Sequence, residues 1–255
     1  MLLLRREPEF RASAFAEGLR AVGLEIATSP STGPYAADDV LVTWNRYGHK
    51  DTLARSIEAR GGTVIVAENG YLGREWRGGR WYAMALAQHN GGGRWPKGRG
   101  PERWARIGEP LAPMRAAGSE YVVLKTRNIG PDGIREPLGW SERIAQWCGR
   151  HTRLPIRIRP HPGEKPCKPL QEDLLSAEAV ITWGSGGALK ALSWGIPVFH
   201  GFPSWIGAKA ATRVEIFPTH NPERSREDMF SDLAWAMWNV EEIRTGEPFR
   251  CLLGL

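Results

Sequence analysis

The chain has 255 residues, with 34 Lys and Arg against 28 Asp and Glu, a formal net charge of +6. That length accommodates one large or two small α/β domains with true cores, and the basic balance favours an anionic partner: a nucleotide, a nucleic acid or an acidic polymer. Cys148, Cys167 and Cys251 lack the paired spacing of a disulfide framework or a zinc site, no apolar run approaches membrane-spanning length, and the opening Met1-Leu2-Leu3-Leu4-Arg5-Arg6 is too short for a signal peptide. A cytoplasmic protein with no membrane partner is the expectation.

Residues 2–4 read as a short buried strand. Phe10, Ala14, Leu19 and Val22 mark one face of a helix that stops at Gly23. Residues 24–27 read as a second strand and 29–38, with two prolines and a glycine, as a loop. Residues 40–43 form a strand that runs into Trp44-Asn45-Arg46-Tyr47-Gly48-His49. Asp51 is placed to cap a helix through Leu53, Ala54 and Ile57. Residues 63–67 are a β-branched strand ending at Glu68-Asn69-Gly70.

Residues 71–107 break this rhythm. Trp76, Trp81, Trp95 and Trp104 lie among Arg74, Arg77, Arg80, Arg94, Lys97, Arg99, Arg103 and Arg106, and only residues 81–86 suggest a strand. Long irregular insertions tend to be functional, and aromatics between cations suit stacking beside phosphates. The competing reading is a flap whose tryptophans pack on the domain. Residues 108–119 read as a linker.

Residues 121–125 then start a second β/α domain, followed by the cationic loop Lys125-Thr126-Arg127 and a helix over 141–148. The stretch 154–203 is the most informative. Apolar runs at 155–158, 179–182 and 197–199 alternate with helical patterns at 170–177 and 187–194, the signature of parallel βαβ units. The first run ends in Arg159-Pro160-His161-Pro162. The second turns through Trp183-Gly184-Ser185-Gly186-Gly187 into a helix. Glycines there admit close backbone approach, and first-turn N–H groups favour an anion. Both loops follow strand carboxyl ends, where doubly wound sheets bind ligands. Residues 213–217 read as a late strand. Residues 223–244 read as one long helix, with Met229, Leu233, Met237 and Val240 in line.

The segment from Asp173 through Trp183-Gly184-Ser185-Gly186 to Trp194-Gly195-Ile196-Pro197-Val198 resembles the donor half of GT-B glycosyltransferases. Arg159-Pro160-His161-Pro162 is similar to the His-Pro motif of capsule-polysaccharide transferases. Glu68-Asn69-Gly70-Tyr71 and the Trp-rich end resemble phage proteins of the same layout, a group that includes DNA glucosyltransferases. The resemblance implies an α/β fold of two Rossmann-like β/α/β domains facing a cleft: an acceptor-side domain over 1–112 carrying the insertion 71–107, a nucleotide-sugar domain over 113–222, and a terminal helix over 223–255 packing back across them. It implies a monomeric, metal-independent hexosyltransferase with no cofactor beyond a nucleotide-sugar co-substrate, expected to be a UDP-sugar. The expected acceptor is 5-hydroxymethylcytosine or another hydroxymethyl-pyrimidine in phage DNA, in the host cytoplasm.

Chemistry assigns the residues. A leaving phosphate needs cations and helix N–H groups, which Arg127, Arg159, His161, Ser185, Gly186 and Gly187 supply; Lys190 reads as a solvated helix residue. The sequence holds no Asp-x-Asp pair, so a metal-chelated donor site is not expected. An acceptor hydroxyl needs a general base, for which Glu68 is the first choice and His49 the second, ahead of Asp51 and His89. Glu68-Asn69-Gly70 equally suits a turn that orders the flap. Asn69, Arg94, Trp95, Lys97 and Arg99 are the expected DNA contacts, the bases being extruded for reaction. A saccharide acceptor, a non-catalytic nucleotide- or DNA-binding protein, and an epimerase-like nucleotide-sugar enzyme are the alternatives.

Overall fold

The computed structural model describes residues 2–3, 9–27, 35–89, 91–126, 134–219 and 225–255. The chain divides into two compact units, Met1–Arg99 with Ala234–Leu255, and Gly100–Leu233. The division falls away from the boundaries expected at residues 112 and 222. The first unit also recruits the chain's end.

In the first unit the order is β1 (Leu2–Leu3), α1 (Glu9–Ala21), β2 (Val40–Trp44), α2 (His49–Glu58), β3 (Thr63–Asn69), β4 (Glu75–Trp76) and β5 (Gly79–Leu86). The second unit holds α3 (Glu102–Ile107), β6 (Glu120–Leu124), α4 (Trp140–Cys148), β7 (Ile156–Arg159), α5 (Leu170–Asp173), β8 (Ala177–Thr182), α6 (Gly186–Ser193), β9 (Val198–His200), β10 (Thr212–Arg213) and most of α7 (Arg226–Ala234). The chain then returns to the first unit through β11 (Met237–Asn239), α8 (Val240–Arg244) and α9 (Glu247–Leu253).

The first sheet runs β1-β2-β3-β5-β11, with β4 paired to β5. β1, β2 and β3 are parallel, whereas β5 is antiparallel to both β3 and β11. It is a mixed sheet, which corrects the Rossmann-like expectation for this half. Alternation along β3 sends Val64 and Val66 under α2, where they pack with Leu41, Ala54 and Ile57. On the opposite face Phe15 of α1 meets Tyr82 and Phe249 edge-on, at centroid distances of 5.7 and 6.1 Å.

Three local expectations fail here. Residues 24–27 form no strand. α2 begins at His49 behind Gly48, and Asp51 lies inside its first turn without capping it. The expected long terminal helix is broken into α7, β11, α8 and α9. β11 fills the slot beside β5, with Met237, Trp238 and Asn239 opposite Ala83, Tyr82 and Trp81. Trp238 is fully buried there.

The expected Arg/Trp flap holds a core strand, β5, between largely exposed or half-buried stretches. β5 pairs with β3 over Tyr82–Leu86 and with β11 over Trp81–Ala83, and Trp81 and Trp95 are 6% and 8% exposed. The Nζ of Lys97 sits 5.0 Å from the Trp95 ring centre, and Arg99 lies 5.2 Å from that of Trp235. These are cation–π contacts, with the charged groups themselves over the rings.

The second sheet is wholly parallel, in the order β10-β9-β8-β6-β7. Counted within the unit this is 2-1-3-4-5, a doubly wound order whose switch point lies between β6 and β8. One face packs Tyr121, Val123, Ile181 and Phe199 against Trp140, Ile144 and Trp147. α6 buries Ala188, Leu189, Ala191 and Leu192. The expected linker is anchored in this unit. Ala112 N donates to Ser193 O at 2.9 Å, Arg115 N to Gly195 O at 2.7 Å, and the Arg115 guanidinium to the carbonyls of Leu174 and Ala177.

Candidate functional site

In the second unit the carboxyl ends of β7, β6 and β8 stand side by side, because those strands are neighbours and parallel. This brings the His161 loop, the Lys125-Thr126 loop and the Ser185 turn to one edge of the sheet. Arg127 lies outside the described residues.

The Ser185 turn is built by its own hydroxyls. Thr182 Oγ1 donates to Leu124 O across the switch point at 3.1 Å and accepts from Ser185 N at 3.0 Å. Ser185 Oγ then accepts from Gly187 N at 3.2 Å, capping α6, while Gly186 is exposed at the first turn. The opposing loop hangs on Glu136, which is 6% exposed. Its carboxylate accepts from Thr126 N and Oγ1, both at 3.0 Å, and from Ser141 N at 3.2 Å and Oγ at 2.5 Å. Trp183 Nε1 donates to Ile134 O at 3.0 Å, tying the two loops together. Sequence reasoning missed Glu136. No periodic pattern marks a residue whose partners lie ten and five positions away.

The cations are disposed differently from expectation. Arg159 points inward: its guanidinium meets Asp173 at 2.5 Å and Lys168 O at 2.8 Å, with the side chain 7% exposed. Its charge is committed to α5, which corrects its assignment to the phosphate. Lys125 Nζ lies 2.7 Å from Glu142, and that carboxylate holds the ammonium above its usual range. His161 is partly exposed and its Nδ1 accepts from Gly163 N at 3.0 Å. Lys190 is half-buried rather than solvated; burial lowers its pKa, opposed by Glu109.

In the first unit, alternation puts Glu68 on the α2 side of β3, at its carboxyl end, partly exposed. Gly70 makes the following turn. A Cβ there would lie 2.8 Å from Gly73 O and 2.9 Å from Trp81 Cβ. The turn returns Tyr71 to the sheet, buried, where its phenol oxygen accepts from Gly91 N at 3.2 Å. Burial and the Glu68 charge push the Tyr71 pKa well up. His49 is exposed at the start of α2, Asn69 is exposed at the end of β3, and Arg94, Lys97 and Arg99 are exposed. Trp95 is a core residue, which corrects its assignment as a stacking contact.

The first unit also holds an ion cluster around buried Arg46 that sequence reasoning missed. Arg46, 3% exposed, binds Glu58 through both terminal nitrogens at 2.7 and 2.8 Å, Asp51 at 2.8 Å and Ala87 O at 2.5 Å. Its partners hold its pKa up against burial. Asn45 and Ala87 adopt left-handed φ of 54° and 69° around it. His89 is 1% exposed, and neither ring nitrogen has a hydrogen-bond partner among the described residues. Burial, then the Arg46 charge, lowers its pKa to about 4.

The sequence matches no protein-family model and no curated protein. Among solved structures, the chain is similar to a Thermosulfurimonas dismutans KpsC beta Kdo 2,4 transferase, with a TM-score of 0.51 and 10% identity over 80% of this chain and 86% of that one. The KpsC beta Kdo 2,7 transferase of the same organism aligns over 83% and 85% with 17% identity and a TM-score of 0.48. The first likeness is one of fold; the second adds nothing to it.

Proposed function

We propose that the protein is a glycosyltransferase of the GT-B type, moving a sugar from a nucleotide-sugar to an acceptor hydroxyl. The observation that carries this is the switch point of the second sheet. A hydroxyl-capped, glycine-opened helix start stands at the carboxyl end of β8, beside the Thr126 loop and in line with His161. Doubly wound sheets bind phosphorylated ligands at such a place, and helix N–H groups stabilise a departing phosphate. The fold shared with a beta Kdo 2,4 transferase supports the same reading.

In this proposal Ser185, Gly186 and Gly187 receive the donor phosphate, and His161 bonds the phosphate or the sugar. Arg127 is the cation of the loop after β6. Arg159 acts indirectly, by holding α5 and the Lys168 backbone. Glu68 takes the acceptor proton, as a partly exposed carboxylate at a strand end. His49 is the second choice, exposed at the start of α2.

A saccharide acceptor is preferred to DNA. The DNA reading draws on the basic balance, the phage-like layout and the Arg/Trp segment 71–107, and within that segment Trp81 and Trp95 are buried. Arg94, Lys97 and Arg99 remain as surface cations, which alone form an unspecific anionic contact.

The test is incubation of the purified chain with UDP-, GDP- and CMP-sugars and two acceptor sets, oligosaccharides and duplex DNA bearing hydroxymethylcytosine or hydroxymethyluracil. Mass spectrometry should find a glycosylated saccharide. Glycosylated DNA would reinstate the nucleic-acid acceptor, and absence of product and of nucleotide release with every pair would end the proposal.

A further inference from the structure

We infer that Glu136 is a positioning residue of the sugar-donor site: its buried carboxylate clamps the end of β6 to the start of α4 and so sets the course of the chain past the switch point. This rests on the reading of that switch point as the sugar-donor site. Each carboxylate oxygen serves one side of the clamp. Oε2 accepts from Thr126 N and Oγ1, both at 3.0 Å, and Oε1 accepts from Ser141 N at 3.2 Å and Oγ at 2.5 Å. A carboxylate offers about four lone-pair sites, so these hydrogen bonds fill it. Glu136 is 6% exposed and Ser141 is fully buried. A filled, buried carboxylate has no site left for a substrate proton, which makes Glu136 an aligning group and not a base.

Both ends of the clamp depend on it. α4 starts behind Gly139, which turns the chain at a φ of 66° and has no side chain to cap the helix. Glu136 supplies that cap from upstream, placing an acceptor and a negative charge at the first turn. On the other side Leu124 ends β6 as the partner of Thr182. Leu124 O accepts from the Thr182 hydroxyl, which also receives Ser185 N. Thr126 is thus held just beyond a residue that is bonded into the Ser185 turn.

The N–H and the hydroxyl proton of Thr126 both go to Glu136, so Thr126 keeps no donor for a phosphate. What Glu136 fixes is the backbone of the loop that stands beside the Ser185 turn. The other tie between this loop and α4 is the Lys125 ammonium, 2.7 Å from Glu142, with side chains 29% and 54% exposed. Exposed ion pairs hold little, so the buried clamp carries the alignment. Ligand-binding groups a fraction of an ångström out of place lose binding and turnover, which is how a residue that touches no substrate acts on the site.

The test compares Thr126→Val, which removes a hydrogen bond to Oε2, Ser141→Ala, which removes one to Oε1, and Glu136→Gln, which turns an amide N–H₂ toward groups that are themselves donors. Calorimetric titration with UDP, GDP and CMP reads nucleotide affinity, and KM is measured with the sugar and acceptor pair identified above. Thr126→Val and Glu136→Gln should weaken the nucleotide that the parent chain binds, and raise KM for the sugar donor, about tenfold, with KM for the acceptor unchanged. Ser141→Ala should lower the melting temperature and leave nucleotide affinity as in the parent. Melting temperatures that fall while all three variants bind nucleotide like the parent, or an equal loss of affinity in Thr126→Val and Ser141→Ala, would make the clamp structural only and overturn the inference. Amide hydrogen exchange of the ligand-free protein supplies a readout that needs no substrate: Thr126 should lose protection in Glu136→Gln. Retained protection there would refute the clamp even if activity fell. A parent chain that binds none of the nucleotides would remove the sugar-donor site and the inference with it, whereas a parent that binds one and a Glu136→Gln variant that binds it equally well would overturn the inference alone.

Discussion

Arg159 and His89 show how burial reassigns a side chain's work. Read along the chain, Arg159 follows a strand and precedes Pro160-His161-Pro162, so its charge is expected at the ligand. In the structure it closes an ion network in which Arg157 bridges Glu120 and Asp173, and Arg159 completes Asp173. Arg159→Ala should therefore cost about 2–3 kcal/mol of stability, less than for an isolated buried pair because Asp173 keeps Arg157. Urea unfolding of the variant measures it; an unchanged midpoint with lost turnover would return Arg159 to the ligand. His89 gives a pH dependence with a defined sign. Its folded pKa of about 4 lies below the ordinary 6.5, so the unfolded chain takes up a proton that the folded chain refuses. Stability from this group is complete above pH 6.5 and is lost as pH falls toward 4. Between pH 7 and 5 the loss is about 2 kcal/mol. Urea midpoints at the two pH values should differ less in His89→Phe than in the parent chain.

At the level of elements, α6 is the part to probe, since it is bounded by two different devices. Its start depends on the Ser185 hydroxyl. Ser185→Ala should cost about 1 kcal/mol and, under the proposed function, weaken donor binding more than acceptor binding. Its end depends on Gly195, with φ of +75° and a Cβ position 1.9 Å from Pro113 O. Gly195→Ala should be worse than the roughly 1–2 kcal/mol cost of a left-handed residue alone, because the segment at 112–115 must also shift. Thermal unfolding of the two variants should rank Gly195→Ala below Ser185→Ala; the reverse order would show that the Pro113 contact yields easily. β2, β3, β6 and β8 were legible because each is a continuous apolar, largely β-branched run. β11 was not. Met229, Leu233, Met237 and Val240 have helical spacing, and local pattern carries no information about an open slot beside β5. β5 itself was half legible: 81–86 suggested a strand, yet the arginines and glycines around it concealed its place between β3 and β11.

For the whole molecule, the crossing of the chain at Arg99 and its return at Ala234 make the two units unequal as fragments. Residues 100–233 contain every strand of the second sheet and should fold alone, with cooperative unfolding by circular dichroism. Residues 1–99 lack β11, α8 and α9, and with them Trp238, Ile243 and Phe249, all fully buried. Each such side chain contributes about 1.5–3 kcal/mol, so this fragment should fold only when 234–255 is supplied in trans or by fusion. A cooperatively folded 1–99 fragment would contradict that.

The parallel βαβ units of the second sheet, the glycine-opened start of α6 and the strand that runs into Glu68 follow from short-range pattern, because alternation, capping and turn chemistry act over a few residues. The partners of Arg159, the burial of Trp81 and Trp95, the strand at 237–239 and the meeting of Tyr71 with Gly91 follow from segments brought together by the fold. Their energies come from long-range pairing and desolvation, quantities that have no value until the segments are brought together.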